Sequence, residues 1–424
     1  MGWVGDAVRR VVKFGGVVLA TPEKVREMAG AIPPMISAGD EVAVVVSAMG
    51  DTTNRLHKTF LTTTAGEYEE ADLERYLTLG EEESALAFAA ALRSMQQKAK
   101  AILPRDAGFP VRVRISGPLP PLMGEKGNEP RPFSLREPAC QKAVQEVILP
   151  LLKAGVVPVV CGFAARDQRG RIITLGRGAS DLTAFILAHL LNADELLLVK
   201  DVEGVYTADP RFTSSRRRIS FLTSRELEML TGAGSGVLHP SAVRFMTKKT
   251  AIRIVPPGED KWEKTGTIVQ PVSPVSISAC EEPVAVVSFI GHGFSRFPSL
   301  LNPLSQALES LHIPVHSITF SDDLVAFYIP EKSCEQAYEA MSRQALRISA
   351  ITSSTIKKGL GKITLSSPEF IYQPGVLEKM LRPISRKGIN IWEIVTLHSD
   401  IHIFIEYKDV SAVLEILQKG REGR

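Results

Sequence analysis

Short runs of apolar, mostly β-branched residues recur along the N-terminal part of the chain, and each one ends in small or polar residues. Val11-Val12-Lys13-Phe14 runs into Gly15-Gly16, and Val42 to Val46 runs into Ser47-Ala48-Met49-Gly50. Val156 to Val160 ends in Cys161-Gly162-Phe163, and Leu196 to Val199 ends in Lys200-Asp201. Runs without polar alternation suit strands buried on both faces of a largely parallel sheet. Helical patterns lie between them, at Glu83 to Leu92 and Leu182 to Leu191. The alternation predicts an α/β sandwich. In such folds ligands collect at the carboxyl ends of the strands, and here those ends carry the Gly, Ser and Asp clusters.

The texture changes after Pro283. Val284 to Phe289 reads as a strand, Leu300 to Leu311 as a helix, Ile313 to Phe320 and Val325 to Ile329 as strands, and Cys334 to Gln344 as a helix. The same order returns with Lys362 to Leu365, Val376 to Arg386, Ile389 to Thr396, Ile401 to Tyr407 and Val410 to Leu417. A βαββα rhythm is thus written twice, with a period of roughly 70 residues. Each copy is too small to bury much apolar surface alone, so the two are expected to pair. Pro- and Gly-rich stretches mark a long excursion from Ser116 to Glu137 and a domain boundary near Pro256 to Pro274.

Composition narrows the function classes. The 424 residues are 44% hydrophobic, and the formal net charge is only +3. That length predicts two or three domains, and that charge gives no reason to expect a nucleic-acid partner. The basic run Arg216-Arg217-Arg218 is short enough to be a solvated turn. The four cysteines, Cys140, Cys161, Cys280 and Cys334, form no CxxC pair. They suit a reducing cytoplasm rather than a zinc site or a disulfide framework. No run of 18 apolar residues predicts a membrane span, and the first ten residues do not read as a signal peptide.

Three motifs carry chemistry. In Lys13-Phe14-Gly15-Gly16 the glycines allow backbone N–H groups to approach a phosphate, and the lysine can face transferring phosphoryl oxygens. Leu175-Gly176-Arg177-Gly178-Ala179-Ser180-Asp181 opens a helix, an anion site by dipole and free N–H groups; as an ordinary cap it would need neither both glycines nor the arginine. Asp201-Val202-Glu203-Gly204-Val205-Tyr206-Thr207-Ala208-Asp209-Pro210-Arg211 follows another strand with acids, an aromatic and an arginine. It could equally be a polar turn ending in Asp-Pro. His239, before Pro240, reads as structural.

These motifs, with Val45 to Asn54, Gly80-Glu81-Glu82-Glu83-Ser84, Thr174 to Thr183 and Val237-Leu238-His239-Pro240, stand in the order found in aspartate kinases, and the chain resembles that family over nearly its whole length. The C-terminal repeats resemble the family's ACT pair, the second keeping Pro374-Gly375-Val376 and Gly388-Ile389-Asn390-Ile391. The resemblance implies a three-layer α/β amino-acid-kinase domain of the carbamate-kinase-like type over residues 1–275. Two ferredoxin-like α+β ACT domains would follow, over 276–347 and 348–424, with Ile277-Ser278-Ala279 as a strand of the second unit. It implies transfer of a phosphoryl group from ATP, with Mg²⁺, to L-aspartate, giving 4-phospho-L-aspartate for lysine, threonine and methionine biosynthesis. Lys13 and Asp181 would be catalytic. Thr53, Glu81, Phe163, Arg177 and Ser180 would hold aspartate, with Arg177 on a carboxylate and Glu81 on the ammonium. Gly15, Gly16, Ser47, Lys200, Asp201, Tyr206 and Arg211 would contact ATP. No direct protein ligand to a metal is implied. Asp322 and Asp323 would lie near an amino-acid effector, lysine or threonine, and a homo-oligomer is expected through the ACT units.

Four positions depart from the family pattern. Val17-Val18 replaces Thr-Ser, Gly236 replaces a lysine, Lys200 replaces a threonine, and Pro298-Ser299-Leu300 replaces Pro-Gly-Val. Lys200 is read as the source of the charge missing at 236. The same departures leave open a catalytically weak paralogue that acts as an amino-acid-sensing regulatory subunit. An amino-acid kinase for another carboxylate is open as well.

Overall fold

A computed structural model describes residues 8–422 apart from 116–132, 177, 233–236, 248, 259–261, 263–264, 271–275, 297, 368–369, 371–374 and 398–399. Most of the expected excursion at 116–137 and part of the expected boundary segment at 256–274 therefore lie outside the described residues. The chain divides into two compact units, Met1–Pro274 and Val275–Arg424.

The first unit is built on an eight-stranded sheet. Its strands are β1 (Arg9–Phe14), β2 (Glu41–Val46), β3 (Ala99–Ile102), β4 (Val157–Cys161), β5 (Glu195–Val199), β6 (Phe221–Thr223), β7 (Ala251–Val255) and β8 (Thr267–Gln270). They lie in the order β6-β8-β7-β5-β1-β2-β4-β3. From β7 to β3 every neighbour is parallel, and β8 turns back antiparallel on β7. β1 is central, so Val11, Val12 and Phe14 are wholly buried and Lys13 nearly so. The helices that matter to the site are α1 (Thr52–Thr64), α2 (Leu79–Ser94) and α3 (Ser180–Leu191). α3 is buried on almost every face, as an apolar helix without a polar stripe must be. The sheet and its apolar strand runs follow the expected α/β architecture.

The second unit carries β9 (Ser276–Ala279), β10 (Val284–Gly291), β11 (Ser317–Phe320), β12 (Leu324–Pro330), β13 (Ile351–Ser366), β14 (Ile391–Leu397) and β15 (Asp400–Glu406). Its helices are α4 (Leu301–Ser310), α5 (Cys334–Ala345), α6 (Val376–Arg386) and α7 (Val410–Glu422). One antiparallel sheet runs β11-β12-β10-β13-β15-β14. The first part of the 16-residue β13 pairs with β10, with a register shift near residues 357–360. Its last part pairs with β15 on one edge and β9 on the other. The expected strand at Ile277 therefore joins the strands of the second repeat. An expected division at 347/348 falls just before a strand that serves both repeats.

Two cores form on this sheet. Val287, Phe289, Phe327 and Ile329 pack with Leu304, Leu308, Ala337 and Met341. Ile363, Ile401, Ile403 and Ile405 pack with Ile384, Val413 and Leu417. The alternate residues of the strands make a third cluster in which Tyr328 stacks on Phe404, ring centroids 3.8 Å apart. That alternation is the period of two that strands impose.

Candidate active site

A cleft of 680 Å³ opens where β1, β2, β4 and β5 end. Lys13, Gly16, Ser47, Thr53, Glu81, Phe163, Ser180, Asp181 and Lys200 line it, joined by Ala48, Gly50, Asn54, Gly178, Thr231, Leu238 and His239. Nine of the positions singled out in the sequence thus meet around one space. Arg177 lies outside the described residues, as does Gly236.

The floor is a group of three charges. Lys13 Nζ is 2.7 Å from Asp181 Oδ1, and Lys200 Nζ is 2.7 Å from Asp181 Oδ2. Lys13 comes from the end of β1 and Asp181 from the first turn of α3. Lys200 lies just past β5 and also donates to the carbonyl oxygen of Val237. Burial alone would raise the Asp181 carboxyl, but the two lysines outweigh it and hold the group well below the carboxylate range. Burial lowers Lys13, against the pull of Asp181, and the Lys200 charge lowers it further. Two cations on one carboxylate leave an excess positive charge in a buried place. Buried charge of that kind calls for an anion.

Gly16 fits that requirement, and Gly15, expected beside it on the nucleotide, does not. A Cβ on Gly16 would stand 2.7 Å from the carbonyl oxygen of Ala48, so no side chain can stand there. Gly15 donates its N–H to Val199 O at 3.1 Å and does not line the cleft. Ala179 precedes α3 without a side-chain cap, which leaves first-turn N–H groups to a ligand. On the wall beside it, Gly162 is forced small. A Cβ there would meet Ser180 Cβ at 2.6 Å and Val46 O at 2.8 Å. Phe163 takes a left-handed φ of 63°, an uncommon state for an aromatic residue that points to a functional constraint.

Glu81 faces the same space from α2. It is 3% exposed, and its Oε1 accepts the N–H of Ala48 at 3.2 Å. Its Oε2 is buried without a hydrogen-bond partner. Burial pushes its pKa up to about 8, against the hydrogen bonds from the backbone at Ala48 and Glu81. A buried carboxyl with one oxygen unpaired suits a cationic group of a ligand.

Other singled-out residues lie elsewhere. Asp201 is exposed outside the cleft lining, although its charge acts on Lys13. Tyr206 sits in a hairpin of Val205–Tyr206 with Arg218–Ile219, and the Arg216 guanidinium lies over its ring at 5.3 Å. Arg211 is exposed and forks onto Asp209 at 2.6 Å. In the second unit Asp322 accepts from the hydroxyl and N–H of Ser295, and Asp323 meets His292 Nδ1 at 3.4 Å. Both acids are exposed. Among the described residues, no group of three or more His, Cys, Asp or Glu side chains could hold a metal, and no helix is long and apolar enough to cross a membrane.

His239 is the functional candidate that the sequence reading sets aside. It is 8% exposed and lines the cleft. The Asp-rich and Gly-rich motifs draw attention away from it, and its place beside Pro240 invites a structural explanation. The signal that could have found it is its place in Val237-Leu238-His239-Pro240, one of the motifs that carry the resemblance.

The model of the Amino acid kinase family matches residues 8–256, and that of an ACT domain matches residues 355–419. An aspartokinase of Bacillus sp. (strain MGA3) is 27% identical over 423 residues, covering 97% of each chain. The structure of an aspartate kinase from Synechocystis superposes with a TM-score of 0.72 at 23% identity, over 97% of this chain and 69% of that one. Aspartokinase III of E. coli, solved with aspartate and ADP, gives 0.52 at 21% identity, over 97% and 99%.

Proposed function

We propose that this chain, which belongs to the amino acid kinase family, is an ATP-dependent aspartate kinase that converts L-aspartate to 4-phospho-L-aspartate. The observation that carries the reading is the Lys13–Asp181–Lys200 group at the strand ends, buried at Lys13 and Asp181, an anion site with excess positive charge. The choice of aspartate draws on the aspartokinase named among the relatives and on the complex of the E. coli enzyme with aspartate and ADP.

In this reading the side-chain carboxylate of aspartate attacks the terminal phosphorus of ATP, and ADP leaves. The protein has little covalent work to do; it positions and neutralises. Lys13 and Lys200 face the transferring phosphoryl oxygens, and Asp181 holds both ammonium groups in place. Gly16 and Ser47 lie along the phosphate path. Glu81 receives the substrate ammonium, with Thr53, Phe163 and Ser180 around the amino acid and Arg177 as partner of its α-carboxylate. Asp201, Tyr206 and Arg211 stand on the loop assigned to the nucleotide, where Arg211 would first have to leave Asp209. Mg²⁺ fits this site as the counter-ion of the nucleotide, because Asp181 is already committed to two lysines. When bound, it neutralises the β- and γ-phosphates.

Residues past 275 are assigned to two ACT-like regulatory units, the second matching the ACT family model. An amino-acid effector of the lysine or threonine type and a homo-oligomer go with that assignment. All four cysteines are free, which suits activity in the cytoplasm.

The test is an ATP-dependent hydroxamate assay with Mg²⁺ and a panel of aspartate, glutamate and N-acetylglutamate, with Lys13→Ala as control. Product with aspartate, lost in the control, is expected. Product with another acid alone moves the substrate. No product with any acid, from a folded protein that still binds lysine or threonine, makes the chain a sensing subunit.

A further inference from the structure

We propose that His239 is a further catalytic residue of this cleft, whose Nε2–H donates a hydrogen bond to the phosphoryl group in transfer. The proposal rests on the kinase reading above, and goes beyond it by assigning a third donor to the same oxygens.

The tautomer of the imidazole follows from its one hydrogen bond. Nδ1 accepts the backbone N–H of Ser241 at 3.2 Å. A neutral imidazole that accepts at Nδ1 carries its proton on Nε2. Burial lowers the His239 pKa to about 4, against the pull of Asp181, so the ring is neutral at working pH. Nε2 makes no hydrogen bond to any described residue, yet the ring lines the cleft. That leaves a donor at the cleft wall free to meet a ligand.

Its surroundings say which ligand. A Cβ added at Gly178 would lie 3.9 Å from His239 Cδ2, the ring atom bonded to Nε2. The Cδ2–Nε2 edge therefore lies beside the glycine loop that opens α3. Asp181, which acts on the ring electrostatically, is the carboxylate that both lysines share. The arm that carries the histidine is pinned at Val237, whose carbonyl takes the Lys200 ammonium. Pro240 restricts the His239 backbone to extended conformations, and the His239 carbonyl accepts the N–H of Ala242 at 2.9 Å. A neutral donor held on a rigid arm next to two cations is preorganised for developing oxyanion charge. Being neutral, it adds no further repulsion to a site that already has an excess cation.

A pair of substitutions separates this role from a purely structural one. His239→Asn keeps an acceptor near the Nδ1 position, for Ser241, and loses the distal donor. His239→Gln reaches the Nε2 position with a donor and loses the acceptor. In the hydroxamate assay His239→Asn is expected to lower kcat by roughly 30- to 100-fold, with the KM for aspartate moved by less than about threefold. His239→Gln is expected to recover about tenfold of that loss. Titration calorimetry gives a readout without turnover: His239→Asn should weaken the imido-bridged analogue of ATP and leave ADP unchanged. The opposite order, with the asparagine variant active and the glutamine variant impaired, would make His239 a brace for Ser241 and overturn the proposal. So would two variants with wild-type rates, or equal weakening of the analogue and ADP. If the wild type turns over no acid, the aspartate reading fails on its own, and the analogue titration still decides the role of His239.

Discussion

The first unit puts its carboxylate where water is scarce, and the second puts its acidic pair where water is plentiful. Asp181 is 5% exposed between two lysine ammonium groups. Asp322 and Asp323 stand exposed on the turn between β11 and β12, tied to Ser295 and His292. The same chemical group has different weight in the two places, because attraction between charges grows as solvent screening falls. Hydrogen bonds from Ser295 lower the Asp322 pKa, but that carboxylate is fully in solvent and carries no comparable consequence. A site that does work on charge needs burial as well as residue type.

The comparison can be broken most directly at Asp181. Asp181→Asn would leave one buried and one half-buried ammonium group without a counter-charge. It should cost about 3 kcal/mol or more of stability, read by denaturant unfolding, and abolish turnover. Loss of turnover without loss of stability would mean that the charges are better hydrated than the structure shows. With its pKa depressed in the fold, the ionised Asp181 stabilises the native state above its unfolded pKa. That stability is lost as pH falls through the folded value.

Lys200→Met separates charge from fold. It leaves the neutral pair Lys13–Asp181, so unfolding should move by less than about 1 kcal/mol while kcat falls about 10²-fold. A wild-type rate from Lys200→Met or Lys200→Thr would show that the charge is not needed there.

Glu81 sharpens the contrast through pH. Its pKa rises to about 8 in the fold from an ordinary value of 4.5. The native state therefore holds a proton that the unfolded chain releases, and stability falls as pH rises between those two values. Glu81→Gln should remove that slope and unfold at a higher temperature than the wild type at pH 8, while losing aspartate binding. Aspartate binding to the wild type at pH 7 should also release protons, seen as a calorimetric heat that varies with the ionisation enthalpy of the buffer. A buffer-independent heat would place the substrate ammonium elsewhere.

The smallest effect belongs to the exposed pair. Asp322→Asn and Asp323→Asn should each change stability by less than about 0.5 kcal/mol, and any larger effect should appear only when lysine or threonine is added.

Much of this is legible from patterning. The strand runs at Val11, Val42, Val156 and Leu196 are uniformly apolar because both faces of their sheet are covered, and a run of that kind announces its own end. That rule points to the strand ends near Gly15, Ser47, Cys161 and Lys200, whereas the roles of Ser47, Phe163 and Lys200 come from the resemblance. Side-chain aim is not legible. Arg211 and Tyr206 stand in a loop rich in nucleotide-like chemistry, yet Arg211 turns to Asp209 and Tyr206 lies under Arg216. His239 escapes for the converse reason, as nothing in Val237-Leu238-His239-Pro240 says which edge of the ring meets solvent. Of β13 only Lys362 to Leu365 stands out as a strand, whereas the strand begins at Ile351. Its first half is Thr-, Ser- and Lys-rich, because one face of an antiparallel sheet can remain wet.

That long strand also sets how the second unit can be taken apart. The chain contributes β9 to the second repeat, builds the first repeat from β10 to β12, and returns to the second along β13. The repeat met first in sequence is thus an insert, entered and left through its sibling. A cut at 347/348 would strip β10 from the first half of β13 and β9 from the second half, leaving bare edges on the released piece. The two repeats would be inherited, lost or exchanged together, as one cassette written in two stanzas.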